Sequence, residues 1–228
     1  MKATTSLPSN YSKYTILEPS KNPKFLIGAV VTGIVLLLIF GWLFVLFANA
    51  IRPTALDGMR LRDLLVSTST GTFLAVSPAL LRDFGIALVA VLIVHELVHG
   101  LFYWLFSSRR PKFGFQGLLP YAAAPIGVYL PRKQFLTVGL APLVVLTVVG
   151  LLLVVIVPIA LVPFLLFFVV FNAAGAGGDL IMAIQLMSFA SETLMEDNDA
   201  GVTIYGPERN GNAAYRLTAV SREKHKKI

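Results

Sequence analysis

Phe84-Gly-Ile-Ala-Leu-Val-Ala-Val-Leu-Ile-Val-His95-Glu96-Leu-Val-His99-Gly-Leu-Phe-Tyr-Trp-Leu-Phe106 decides the reading of this chain. The stretch is apolar and long enough to cross a bilayer, yet His95, Glu96 and His99 sit at its centre. An HExxH helix puts both imidazoles on one face, one turn apart, where they can share a tetrahedral zinc. Glu96 lies about 100° round that helix, within reach of a water proton. Such a motif inside an apolar span predicts an intramembrane zinc hydrolase with Glu96 as the catalytic acid/base. His225, in the basic C-terminal tail, reads as an ordinary surface histidine.

The rest of the chain agrees with a membrane setting. It has 228 residues, 56% of them apolar and 14% charged, which excludes both an ordinary soluble domain and a disordered chain. No charge occurs between Lys24 and Arg52, or from Gln134 to Gly178. Each spanning helix needs about 20 residues, so the second stretch holds two, with a turn at Pro158 and Pro163. The spacing predicts an α-helical polytopic protein with four transmembrane helices at about 25–49, 84–106, 135–157 and 163–187. Domains follow: a flexible tail over 1–24, a zincin-like membrane domain over 25–190, and a short tail over 191–228. Ala48-Asn49-Ala50 resembles a cleavage site, but the apolar run before it is longer than the 7–15 residues usual in a signal peptide. An uncleaved anchor is expected.

Lysines and arginines orient the helices. Of the 19, only Arg52, Arg60, Arg62 and Arg82 fall in the loop over 50–83; the others lie in the two tails and the 107–134 loop. By the positive-inside rule, both termini face the cytoplasm. The net charge of +7 is then a topology signal that also draws anionic lipid, and calls for no nucleic acid. Size and simplicity fit a prokaryotic cytoplasmic membrane; the sequence sets no oligomeric state. With no cysteine in the chain, a metal must rest on histidine and carboxylate.

A catalytic zinc usually has three protein ligands. Besides the motif itself, Asp179 is the only charged residue in the predicted spans. A lone carboxylate there costs roughly 3 kcal/mol, which makes it a functional-site candidate. At 1.5 Å per residue His95 and His99 lie roughly 16–23 Å from the outer edge, and Asp179 roughly 24 Å. One zinc per chain on His95, His99 and Asp179, with Glu96 beside it, sums to zero charge, which suits a low dielectric. The Gly175-Ala-Gly-Gly178 run before Asp179 either unwinds the last helix or packs closely against a neighbour. Asn172, two turns before Asp179, is read as a contact to substrate or ligand, or as a packing hydrogen bond.

Between the second and third helices, residues 112–134 are rich in Gly, Pro and aromatics, which predicts a β-hairpin on the cytoplasmic side. Its edge either pairs with an extended substrate, with Gln116 and Tyr121 as candidate contacts, or is a plain surface hairpin. The loop over 50–83 reads as a short amphipathic helix or a connector. Residues 201–206 and 213–220 flank a turn-like stretch and read as a second hairpin.

His95-Glu96-Leu-Val-His99, Tyr121-Ala-Ala-Ala-Pro125, Pro131 through Ala141-Pro142, and Asn172 through Asp179 together resemble the putative membrane zincin peptidases, a domain of unknown function. The resemblance covers roughly 84–190. That family is in turn similar to site-2 proteases. It implies zinc held by His95, His99 and Asp179, with Glu96 as general base and acid. Where site-2 proteases commonly carry Pro and Asp-Gly, this chain has Gly175 and Asp179-Leu180. The expected activity is zinc-dependent hydrolysis of peptide bonds in membrane-associated substrates. Two other readings are a non-catalytic membrane protein of the same fold that binds or escorts transmembrane partners, and a metal transporter, for which no repeat is visible.

Overall fold

Asn22-Pro23 and Ser77-Pro78 start the first two long helices, each with a side-chain cap followed by a proline whose missing N–H costs nothing there. A computed structural model of the protein describes residues 2–57, 59, 65–68, 71–74, 76–116, 119–198 and 201–208. In it Asn22 Oδ1 accepts from the amides of Lys24 and Phe25, and Ser77 Oγ from that of Leu80. Helix α1 runs Pro23–Ile51, α2 Pro78–Ser107 and α3 Arg132–Ile156. The fourth apolar run, Ile159–Met187, is broken into α4 (Val162–Gly175) and α5 (Gly177–Met187).

All four runs are long and apolar enough to cross a membrane. Mean hydropathy is lowest, 2.0, in α2, which carries the HExxH motif. The helices lie where the sequence predicts them, except that α2 begins six residues earlier, at Pro78. The Ser77-Pro78 start explains this, and the charges so included, Arg82 and Asp83, bond to each other at 2.8–2.9 Å. Large apolar side chains such as Ile27, Leu38, Trp42, Val89 and Leu152 are exposed along α1, α2 and α3. Contiguous apolar surface of this kind needs an apolar solvent or a partner.

The chain divides into two compact units. One comprises residues 1–30, 96–141 and 178–228. Its centre is an antiparallel sheet in the order β1 (Tyr11–Leu17), β8 (Gly201–Pro207), β7 (Leu194–Asn198), β6 (Leu130–Pro131). Phe135, Val138, Leu186, Phe189, Met195 and Ile204 form its buried core. Residues 201–206 pair with β7 and with β1; residues 213–220, their expected partner, lie outside the described residues. Strand β1 comes from the stretch expected to be a flexible tail. Tyr11-Ser-Lys-Tyr-Thr-Ile-Leu17 has the aromatic and β-branched content of a strand, but its partner is almost the whole chain away. Gly201 is required: its φ is +130°, and a Cβ would run into the Leu17 carbonyl oxygen. Within the 112–134 stretch, β4 (Lys112–Gln116) pairs antiparallel with β5 (Leu119–Ala123).

The other unit comprises residues 31–95 and 142–177. Phe44, Ala48, Leu56, Val154, Leu165 and Val169 form its core. Gly33 lets α1 approach the Ala174 carbonyl, and Gly150 accommodates Val169, the small-residue packing that apolar helices use in place of a hydrophobic drive. Arg52 donates to the carbonyls of Val155 and Val157 at the end of α3. In the 50–83 loop, β2 (Leu65–Thr68) and β3 (Gly71–Leu74) pair antiparallel, a pairing their β-branched content favours; residues 58 and 60–64, part of the stretch expected to be an amphipathic helix or a connector, lie outside the described residues.

Candidate metal centre

Helix periodicity brings His95 and His99 to one side of α2, where both are buried, at 8% and 7% exposure. Each ring is held through Nδ1. His99 Nδ1 donates to the Val138 carbonyl oxygen (2.9 Å). His95 Nδ1 donates to Asn172 Oδ1 (3.0 Å), and Asn172 Nδ2 donates to the Pro142 carbonyl oxygen (3.1 Å). That last bond settles the amide's direction: a carbonyl can only accept, so the amino end faces Pro142 and the oxygen faces His95. Oxygen acceptors at both Nδ1 positions place a proton on each Nδ1, which leaves Nε2 as the nitrogen with which each imidazole would ligate a metal.

Asp179 sits in the first turn of α5, where the helix dipole favours a carboxylate. The break before it, at Ala176, is the unwinding that the glycine run allows. A Cβ at Gly175 or Gly178 would meet nothing, so these two glycines supply backbone freedom rather than close packing. Asp179 Oδ2 is 3.5 Å from His99 Nε2. One ligand atom each from His95, His99 and Asp179 all lie within 4.8 Å of one another. Around a tetrahedral zinc with bonds of 2.0–2.1 Å, ligand atoms stand about 3.4 Å apart, close to the 3.5 Å between His99 Nε2 and Asp179 Oδ2. Two imidazole nitrogens and a carboxylate oxygen are also zinc's usual donors. The residues fit the metal.

Glu96 faces a cavity of about 700 Å³ that His99, Asp179, Tyr103, Tyr121 and Asp197 also line. Its Oε2 accepts from the Ala122 amide of β5 at 2.7 Å. Phe113 of β4 lies against Gly100, the residue after the motif, so closely that a Cβ there would run into its ring. Tyr121 folds its ring over Gly114 on the facing strand. It also lines that cavity. Gln116 ends β4, and its side chain lies outside the described residues. Asn172 is fully buried, with its oxygen on His95.

Sequence reasoning missed Tyr103 and Asp197. Tyr103 Oη donates to Asp197 Oδ2 (2.9 Å), which also accepts from the Ala124 amide (3.3 Å). Tyr103 stands one turn after His99 and was legible by that spacing. Asp197 comes from β7, with no local signal.

Searches of curated proteins and of solved structures returned no match. Residues 88–194, which hold the HExxH motif, Tyr121, Asn172 and Asp179, match the family described as "Putative zincin peptidase".

Proposed function

We propose that the chain is an intramembrane zinc metallopeptidase that hydrolyses peptide bonds of membrane-associated proteins, in the manner of the site-2 proteases it resembles. The observation that carries this is the placement of Glu96 on the helix that presents His95 and His99, with Asp179 3.5 Å from His99. Zinc bound by these three ligands supplies Lewis acidity, which polarises the scissile carbonyl and acidifies water. Glu96 takes the water proton as the oxygen attacks the carbonyl carbon, then hands it to the nitrogen as the C–N bond breaks. Ala122 N–H holds the Glu96 carboxylate while it does so.

Apolar faces on all four long runs support a bilayer as the surrounding solvent, and the distribution of lysine and arginine supports cytoplasmic termini. Tyr121 and the β4–β5 hairpin stand at the cavity as the surface for an extended substrate segment, with Gln116 on the same hairpin. A spanning helix must unwind to expose an amide there, which favours substrates with Gly, Pro or polar residues in the span.

The test is reconstitution in proteoliposomes with a panel of transmembrane peptides, reading new termini by mass spectrometry. Wild type should cut some of them in a zinc-dependent way, and Glu96→Gln should retain zinc without cutting. Equal cleavage by Glu96→Gln would remove Glu96 as the base. Stoichiometric peptide capture without cleavage by either protein would favour the non-catalytic binding protein.

A further inference from the structure

We propose that Pro142 is a positioning residue for the metal ligands, acting by withholding a backbone donor from α3. Pro142 stands inside that helix. An ordinary residue there would donate its amide to the carbonyl four residues earlier, which is that of Val138. Proline has no amide hydrogen, so the Val138 carbonyl loses its helical partner. In an apolar environment a carbonyl so released must find another donor. It finds His99 Nδ1 at 2.9 Å. The carbonyl of Pro142 itself accepts from Asn172 Nδ2, whose partner oxygen holds His95 Nδ1. One proline thus stands behind both rings: by what it lacks for His99, and through Asn172 for His95. Partners of this kind fix the imidazole tautomer and tune metal affinity. The inference rests on the reading of His95 and His99 as ligands.

Pro142→Ala restores an N–H that competes with His99 for the Val138 carbonyl, and it favours the helix, so the variant is expected to fold. Two measurements on full-length protein in detergent decide the matter. The first is zinc affinity by chelator competition, expected to fall about tenfold or more, in the range for loss of a ligand-orienting partner. The second is the imidazole ¹⁵N spectrum of the metal-free protein with labelled histidine, assigned by single replacements. Wild type should show a proton on Nδ1 at both ligands. Pro142→Ala should turn His99 into a tautomer mixture, and Asn172→Ala should do so for His95 alone. An unchanged His99 spectrum in Pro142→Ala would overturn the inference. Wild type that binds no zinc would instead defeat the metal-site reading, while the metal-free spectra would still decide whether Pro142 orients His99.

Discussion

Ala122 donates its backbone amide to Glu96 Oε2 across 2.7 Å, joining the second strand of the β4–β5 hairpin to the acid of the HExxH motif. The bond is charge-assisted and partly buried, a class worth about 1.5–3 kcal/mol. Replacing Ala122 with proline deletes the donor and leaves the rest of the motif intact. Turnover by Ala122→Pro should fall about 10- to 100-fold, as that energy implies, with zinc content unchanged. Ala122→Gly, which keeps the amide, should stay close to wild type. Steady-state kinetics beside elemental analysis checks both; full activity in Ala122→Pro would show that Glu96 needs no backbone support.

Asp179 carries a second expectation. Wild type should hold about one zinc per chain, and Asp179→Ala should lose it or bind it far more weakly, because only two ligands remain. Elemental mass spectrometry on detergent-purified protein, with circular dichroism to confirm folding, reads the result. Retention of a full zinc by folded Asp179→Ala would assign the third ligand elsewhere.

How much of this was legible in the sequence follows from the range of each signal. Helix spans and the HExxH face are encoded within a few residues, by hydropathy and by spacing, and could be read directly; the glycine run before Asp179 left unwinding and close packing both open, and the break at Ala176 decides for the first. The partnership of β1 with β8 could not, since Tyr11 meets Pro207 only through the tertiary fold. Asp197 is of the same kind, reaching Tyr103 from a strand 94 residues along the chain. Asn172 lies between. Its helical phase with Asp179 was visible, but its choice of His95 over substrate depended on where α3 places the Pro142 carbonyl.

Tyr205 gives a pH test outside the helices. Burial, together with its hydrogen bond to Glu196 Oε2 at 2.7 Å, holds the Tyr205 hydroxyl well above the usual tyrosine range. Burial, with Glu196 nearby, also raises Tyr129, whose ring meets that of Tyr205 edge-on. A raised acid pKa means that the folded state keeps its proton after the unfolded state has lost it. Stability from these groups is therefore present below pH about 10 and falls as pH rises beyond it. Thermal melts across that range should show the decline, and Tyr205→Phe should make it shallower. An identical slope in the variant would assign the alkaline loss to other groups.

Gly100 sets a sign that helix propensity alone would get wrong. An alanine in place of a helical glycine is ordinarily stabilising by about 1 kcal/mol. Here the added Cβ would run into the Phe113 ring and come within 3.3 Å of Pro111 Cγ. Overpacking at a close contact costs about 1–3 kcal/mol, so Gly100→Ala should be neutral to destabilising and should push the hairpin away from α2. Because the same hairpin carries the Ala122 amide to Glu96, turnover should fall along with stability. Phe113→Ala on top of Gly100→Ala removes the clash and should recover part of the stability, a coupling that a double-mutant cycle measures directly. If Gly100→Ala instead raises the melting temperature and leaves turnover unchanged, the hairpin does not rest on this helix through Phe113.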